Sequence, residues 1–310
     1  MKDQAFALRE RVEAALPEAS ARANSSLPMV VVAGGRAGVG ATTVAVNLAA
    51  VLADRGERVV LIDAARQAPI ADQIAGAVGA VEHTLDDVLA GECGAADALV
   101  PGPCGALLLA GRRGATSRHS SELRNESRRA LAASPAVDSS RQQQQRLLRE
   151  LQSLEKVASV LVVDAGSGLT PWTRRFWLRG TLVLLVITTE DAVLLDAYAM
   201  VKRSTADGIK AKIGLLANQC DSDARARAVC GRFSSACRRF LALSVPPLPS
   251  LPRHVAEKHG RQTYPRIWES PNSPFGHGAL WLGRAVSDVL ALDEVANQSG
   301  PGGTHSVVRR

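Results

Sequence analysis

A chain of 310 residues, 46% hydrophobic and 22% charged, has the make-up of a globular protein with a sizeable core, which excludes a disordered or fibrous polymer. Five scattered cysteines without a CxxC pair argue against a disulfide framework or zinc site and suit a reducing cytosol. A net charge of +7 permits attraction to phosphate or anionic lipid, and fits a solvated basic surface equally well.

Residues 3–16 read as a short helix, with Phe6, Leu8, Val12 and Leu16 apolar among charges, and Pro17 with the polar run 20–26 makes a linker. The start carries no signal-peptide pattern, and the apolar stretch Leu182–Ile187 is too short to cross a bilayer, so a cytoplasmic protein is expected. From Met29 onward, continuous Val/Leu/Ile blocks predict strands at 29–33, 58–63, 106–110, 160–164, 182–188 and 212–217. Unbroken apolar blocks indicate strands covered on both faces, as in a parallel sheet. Helical spacing falls between them, at 42–55, 85–89, 142–156, 192–203 and 224–241. Alternating strands and helices define an α/β fold with helices on both faces of a mostly parallel sheet.

Residues 112–141 are rich in Arg, Ser and Ala without periodicity and read as a mobile insert; 297–310 reads as a disordered tail. The segment 280–292 is amphipathic. Asp288, Asp293 and Glu294 make it a poor partner for anionic lipid, so it reads as a closing core helix.

Three motifs carry chemistry. The first follows the 29–33 strand: Gly34-Gly35-Arg36-Ala37-Gly38-Val39-Gly40-Ala41-Thr42-Thr43, running into a helix. Glycines let the backbone N–H groups turn inward, the helix N-terminus adds positive potential, and a threonine in the first turn can hold Mg²⁺ beside phosphates. The second is the strand ending in Asp63, a carboxylate placed either for a magnesium ion or as a turn-capping residue. The third is Val160-Leu161-Val162-Val163-Asp164 followed by Gly166 and Gly168, an apolar strand delivering a buried carboxylate. Asn218 ends the 212–217 strand, where it reads as a base-facing amide or as a turn residue.

The decamer resembles the deviant Walker A loop of the MinD/ParA family of P-loop ATPases, usually KGGxGKTT. That resemblance implies nucleotide binding by Gly35, Arg36, Gly38, Val39, Gly40, Ala41, Thr42, Thr43, Asp164 and Asn218, with Mg²⁺ held by Thr42, Asp63 and Asp164. ATP or ADP would be the nucleotide, and Asp63 a vestigial catalytic carboxylate. Arg36 stands where the family's signature lysine reaches a dimer partner's nucleotide, Ala41 replaces the P-loop lysine, and Ala65 replaces the second Asp of the family's DxD. Arginine keeps the charge with a different reach. Ala41 keeps none, and a lost hydrogen bond to a charged group costs roughly 1.5–3 kcal/mol, about one to two decades in affinity. Weak binding and weak or lost hydrolysis are therefore expected.

The run Asp3-Gln4-Ala5-Phe6-Ala7-Leu8-Arg9 is similar to the DQAxxLR helix of the FlhG (FleN) family of flagellar number regulators. So is the stretch from His83 to Gly91, with Ala98-Leu99-Val100 after it. Thr188-Thr189-Glu190-Asp191, continued by Asp196-Ala197-Tyr198-Ala199, resembles the TTPEPTALTDAYA segment, and Arg238-Arg239-Phe240-Leu241 is shared as well. The resemblance implies that Asp3, Gln4, Ala5, Leu8 and Arg9 contact an FlhF-like GTPase. It also implies a face-to-face homodimer and membrane binding through a C-terminal helix; the acids at 288, 293 and 294 leave contact with the inner membrane face or cell pole weak or indirect, and DNA is not an expected partner. The alternatives are a CpaE/TadZ-like pilus scaffold, whose loops also lack the lysine, and a ParA-like or MinD-like partition or division ATPase. The scaffold's receiver-like domain has little room ahead of the loop, and only the basic charge favours a partition factor.

Overall fold

The computed structural model describes residues 27–66, 71–76, 81–111, 141–254 and 264–298. Its first strand is β1 (Met29–Gly34), every residue of which is buried. In chain order there follow α1 (Ala41–Asp54), β2 (Val59–Asp63), α2 (Ala71–Ala75), α3 (Leu85–Ala90), β3 (Leu99–Pro101) and β4 (Leu107–Leu109). The second half comprises α4 (Arg141–Ser153), β5 (Val160–Ser167), α5 (Pro171–Arg179), β6 (Leu182–Ile187), α6 (Asp191–Ala206), β7 (Lys212–Ala217), α7 (Asp223–Leu241) and α8 (Pro274–Gln298). The seven strands form one sheet in the order β3-β4-β2-β5-β1-β6-β7. All neighbours are parallel except β3, which returns antiparallel along β4 at the edge.

This is the mostly parallel α/β architecture read from the apolar blocks, and its consequence for function lies in register. Val32 of β1 pairs with Asp164 of β5, and Asp164 pairs with Asp63 of β2. The glycine-rich loop therefore opens beside both carboxylates, at the C-terminal end of the sheet, where open α/β sheets take their ligands.

Helix α1 is held firmly enough to position that loop. It packs against β5 and α8, and its face from Val44 to Leu52 is buried. Buried Asn47 donates to the Thr43 and Pro265 carbonyls, each at 2.8 Å, and accepts from the Ile267 N–H at 2.8 Å. One side chain thereby ties the chain before α8 to the helix behind the loop. Gly283 lets α8 approach closely, since a Cβ there would stand 2.3 Å from Val51 Cγ1. Phe275, Ala279, Leu282 and Val286 face the core, as a closing helix requires.

Several boundaries differ from the sequence reading. Helix α8 begins at Pro274 rather than 280 and runs through Gln298, so Asn297 belongs to the helix and not to the tail. Nothing between Asp288 and Gln298 breaks a helix; the first breakers are Gly300 and Pro301. Arg141 opens α4 instead of closing the insert. The β3 strand, α2 and α5 were not expected; β3 and α2 are only 3 and 5 residues long. Helix α5 announces itself through its cap, with Thr170 accepting from the Thr173 N–H and Pro171 in the first turn. The predicted helix 3–16 with Asp3, Gln4, Ala5, Leu8 and Arg9, most of the insert, and the tail beyond Gln298 lie outside the described residues. Among the described residues no helix is long and apolar enough to cross a membrane.

Candidate functional site

The loop between β1 and α1 is built to leave its amides open. Gly38 and Gly40 adopt φ of 86° and 87°, in the left-handed region that favours glycine. Gly40 is the N-cap of α1, no side chain caps that helix, and its first turn holds no acid. From the far side, the two residues after β7 fasten the loop's carbonyls. Asn218 Nδ2 donates to Val39 O at 2.8 Å, and Gln219 Nε2 donates to Gly38 O at 2.9 Å. With these carbonyls drawn outward, the N-terminal amides of α1 are left to an anion.

Beneath the loop lies a cleft of about 140 Å³ lined by Arg36, Gly38, Val39, Ala41 and Thr42 on one wall and by Ala65, Arg66, Gly166, Ser167, Thr170 and Thr173 on the other. That is smaller than the roughly 300–1,000 Å³ of a pocket enclosing a whole organic ligand, and suits a phosphate group with an ion. Its charged lining residues, Arg36 and Arg66, are both cations.

Asp164 sits under this cleft, fully buried. Its Oδ1 accepts from the Gly166 N–H at 3.0 Å, while Oδ2 is buried without a hydrogen-bond partner. Burial pushes its carboxyl up to about 6; the Thr42 hydroxyl and the Gly166 amide, which favour the charged form, only partly offset this. A buried carboxylate oxygen left unpaired beside a threonine hydroxyl is the donor chemistry of a hard cation. Among the described residues no group of three or more His, Cys, Asp or Glu side chains could hold a metal alone, so phosphate oxygens would have to complete the shell. Magnesium fits on those terms.

Asp63 is placed differently. Its Oδ1 accepts from the Ala65 N–H at 3.1 Å and its Oδ2 from the Ala71 N–H at 3.0 Å, so it organises the loop after β2. Ala65 packs on Gly166, where an added Cβ would stand 3.3 Å from it. The cap reading of Asp63 thus has a direct structural basis, and Asp164 is the carboxylate that leaves an oxygen open.

Arg36 points to α6, its Nε 2.7 Å from Asp196 Oδ2. Gly35 is pressed against the same helix, with room for a Cβ only 3.0 Å from Ala197. Asn218 engages the loop itself and is not part of the cleft wall. Sequence reading missed Arg66, Ser167, Thr170 and Thr173. Arg66 was findable as the first charge after the strand that ends in Asp63.

A parallel sheet with a glycine loop, a helix N-terminus and a buried carboxylate at one strand end defines a P-loop-type nucleotide-binding α/β protein. Residues 30–259 match the CobQ/CobB/MinD/ParA nucleotide binding domain, and the chain belongs to that family. It is FleN-like within it: it is 28% identical over 280 residues to the antiactivator FleN of Pseudomonas aeruginosa, covering 83% of this chain and 93% of that protein. The fold is shared with the cell division ATPase MinD of Pyrococcus furiosus, at TM-score 0.65, 23% identity, and 85% and 99% coverage of the two chains. It is shared too with the Mg-ADP complex of MinD from Pyrococcus horikoshii, at TM-score 0.64, 20% identity, and 86% and 98% coverage.

Proposed function

We propose that this protein is an FlhG-like regulator of flagellar number or placement that acts by binding an FlhF-like GTPase, with ATP hydrolysis weak or lost. The observation that carries it is a phosphate loop whose backbone cradle and Thr42–Asp164 pair are kept while residue 41 is alanine. The similarity to FleN over 83% of the chain supports the flagellar assignment. The Mg-ADP complex of a protein with the same fold supports ATP or ADP as the ligand.

The amides of α1 and the loop bind phosphate oxygens, while Asn218 and Gln219 hold the loop in shape. Thr42 and the open oxygen of Asp164 would hold Mg²⁺, which supplies charge neutralisation between the phosphates. With Ala41 and Ala65 in place of a lysine and an aspartate, little remains to neutralise the transferring phosphoryl group or orient water. Binding then serves as the signal, and residues 3–9 meet the GTPase.

Calorimetry with ATP and ADP, with and without Mg²⁺, should show weak magnesium-assisted binding, and phosphate release should stay near background. Robust hydrolysis by the purified protein would overturn the reading of a crippled ATPase. Deleting residues 1–20 should abolish stimulation of an FlhF-like GTPase; stimulation unchanged by the deletion would remove that partner site.

A further inference from the structure

The cleft lost a cation at position 41, and the structure contains another. Arg66 lines the same cleft as Ala41 and Thr42, on the opposite wall. Its guanidinium stacks over the Trp172 ring, 5.1 Å from the centroid. Trp172 is in turn fixed, its Nε1 donating to the Ala64 carbonyl at 2.9 Å. Arg66 therefore leaves β2 on a rigid platform. Nη1 pairs with Asp86, yet Nη2 is buried with no hydrogen-bond partner.

A buried guanidinium nitrogen without an acceptor is costly, and arginine forks match phosphate oxygens bidentately. Arg36, the other cation of the cleft wall, is half exposed and paired with Asp196, whereas the Arg66 side chain is only 20% exposed. Charges in the drier position interact more strongly with an anion.

We propose that Arg66 binds the terminal phosphates of a nucleoside polyphosphate and supplies, from the end of β2, the positive charge that Ala41 withholds. This rests on the nucleotide-binding reading of the cleft. It predicts a site that prefers polyphosphates over nucleosides and reads phosphate charge through an arginine instead of a lysine. The Asp86 partner is exchanged for phosphate, and the unspent nitrogen gains its acceptor.

Full-length wild-type protein and the variants Arg66→Met and Arg66→Lys would be titrated calorimetrically with ATP, ADP and inorganic pyrophosphate in Mg²⁺. Methionine keeps an apolar stem over Trp172 and lysine keeps the charge, and circular dichroism checks that each variant is folded. Arg66→Met should weaken ATP and pyrophosphate binding roughly ten- to hundredfold, and Arg66→Lys should recover part of it. The double variant Ala41→Lys/Arg66→Met should regain wild-type affinity, because the added lysine offsets the lost arginine at the same phosphates. Wild-type protein that binds none of the three ligands would overturn the nucleotide reading itself. Wild-type binding that survives Arg66→Met, or a double variant no tighter than Arg66→Met alone, would overturn only the role of Arg66.

Discussion

Asn218 and Val39, 179 residues apart in sequence, are joined by a hydrogen bond of 2.8 Å from the Asn218 Nδ2 to the Val39 carbonyl. The same amide lies where a side chain on Gly40 would go, 2.5 Å from an added Cβ. The shape of the phosphate loop is therefore set jointly by its glycines and by the first residue beyond β7.

Gly40→Ala should cost stability and nucleotide binding together, because it forces alanine to φ 87° against Asn218. Asn218→Ala should cost about 1–3 kcal/mol by leaving a buried carbonyl unpaired. The double variant should be less destabilised than the two costs added, since removing Asn218 makes room for the new methyl. Urea melts of the three variants decide it; strict additivity would mean that the two residues do not share a constraint.

Asp164 makes the metal-free protein sensitive to pH. Its folded pKa of about 6 lies above the ordinary aspartate value of 3.8, so the native state binds the extra proton. The native state then gains from that proton below about pH 4 and loses the gain as pH rises toward 6. In EDTA, Asp164→Asn should be more stable than wild type at pH 7.5, by on the order of 1–3 kcal/mol, and nearly equal at pH 4. Adding Mg²⁺ and ATP should stabilise wild type and leave the variant unmoved. Thermal melts at the two pH values test both statements, and a variant less stable at high pH would contradict the first.

Much of this was legible from residues alone, and the reasons are physical. Blocks such as Leu182-Val183-Leu184-Leu185-Val186-Ile187, alternating with helical segments, indicate strands buried on both faces of a covered parallel sheet, so the architecture followed from them. Glycines at 38 and 40 next to a helix start announced the loop. What lay hidden depends on contacts distant in sequence. Nothing near Asn218 says that its amide ties Val39, and nothing near Asp63 says that its oxygens are taken by Ala65 and Ala71. Arg66 looks like a surface charge until Trp172 and the cleft, about a hundred residues away in sequence, come to meet it.

The Arg36–Asp196 pair is half exposed on both sides, and such pairs contribute about 0–1 kcal/mol. Arg36→Ala should accordingly leave the melting curve almost unchanged. If Arg36 serves a second copy of the chain, as the resemblance of the loop to the MinD/ParA family suggests, the substitution should abolish ATP-dependent self-association in sedimentation. Asp196→Ala, which releases the arginine, should preserve or strengthen it. Self-association that is indifferent to Arg36 would confine this residue to its contact with α6.

Restoring the lysine is the most direct test of why hydrolysis should be weak. Residue 41 is the first of α1, buried to 7% exposure, and it lines the cleft between Thr42 and the opposite wall. A lysine grafted there begins at the helix N-terminus, with the cleft as its outlet for the ammonium group. Ala41→Lys should tighten ATP binding roughly ten- to hundredfold. Because phosphoryl transfer depends on neutralising charge, turnover should rise by at least that factor as well. Asp164→Asn added to the lysine variant should return turnover to background, since the metal site and the lysine act on the same phosphates. Phosphate release at saturating ATP measures both effects, and affinity that rises without any gain in turnover would place the block at Ala65 instead.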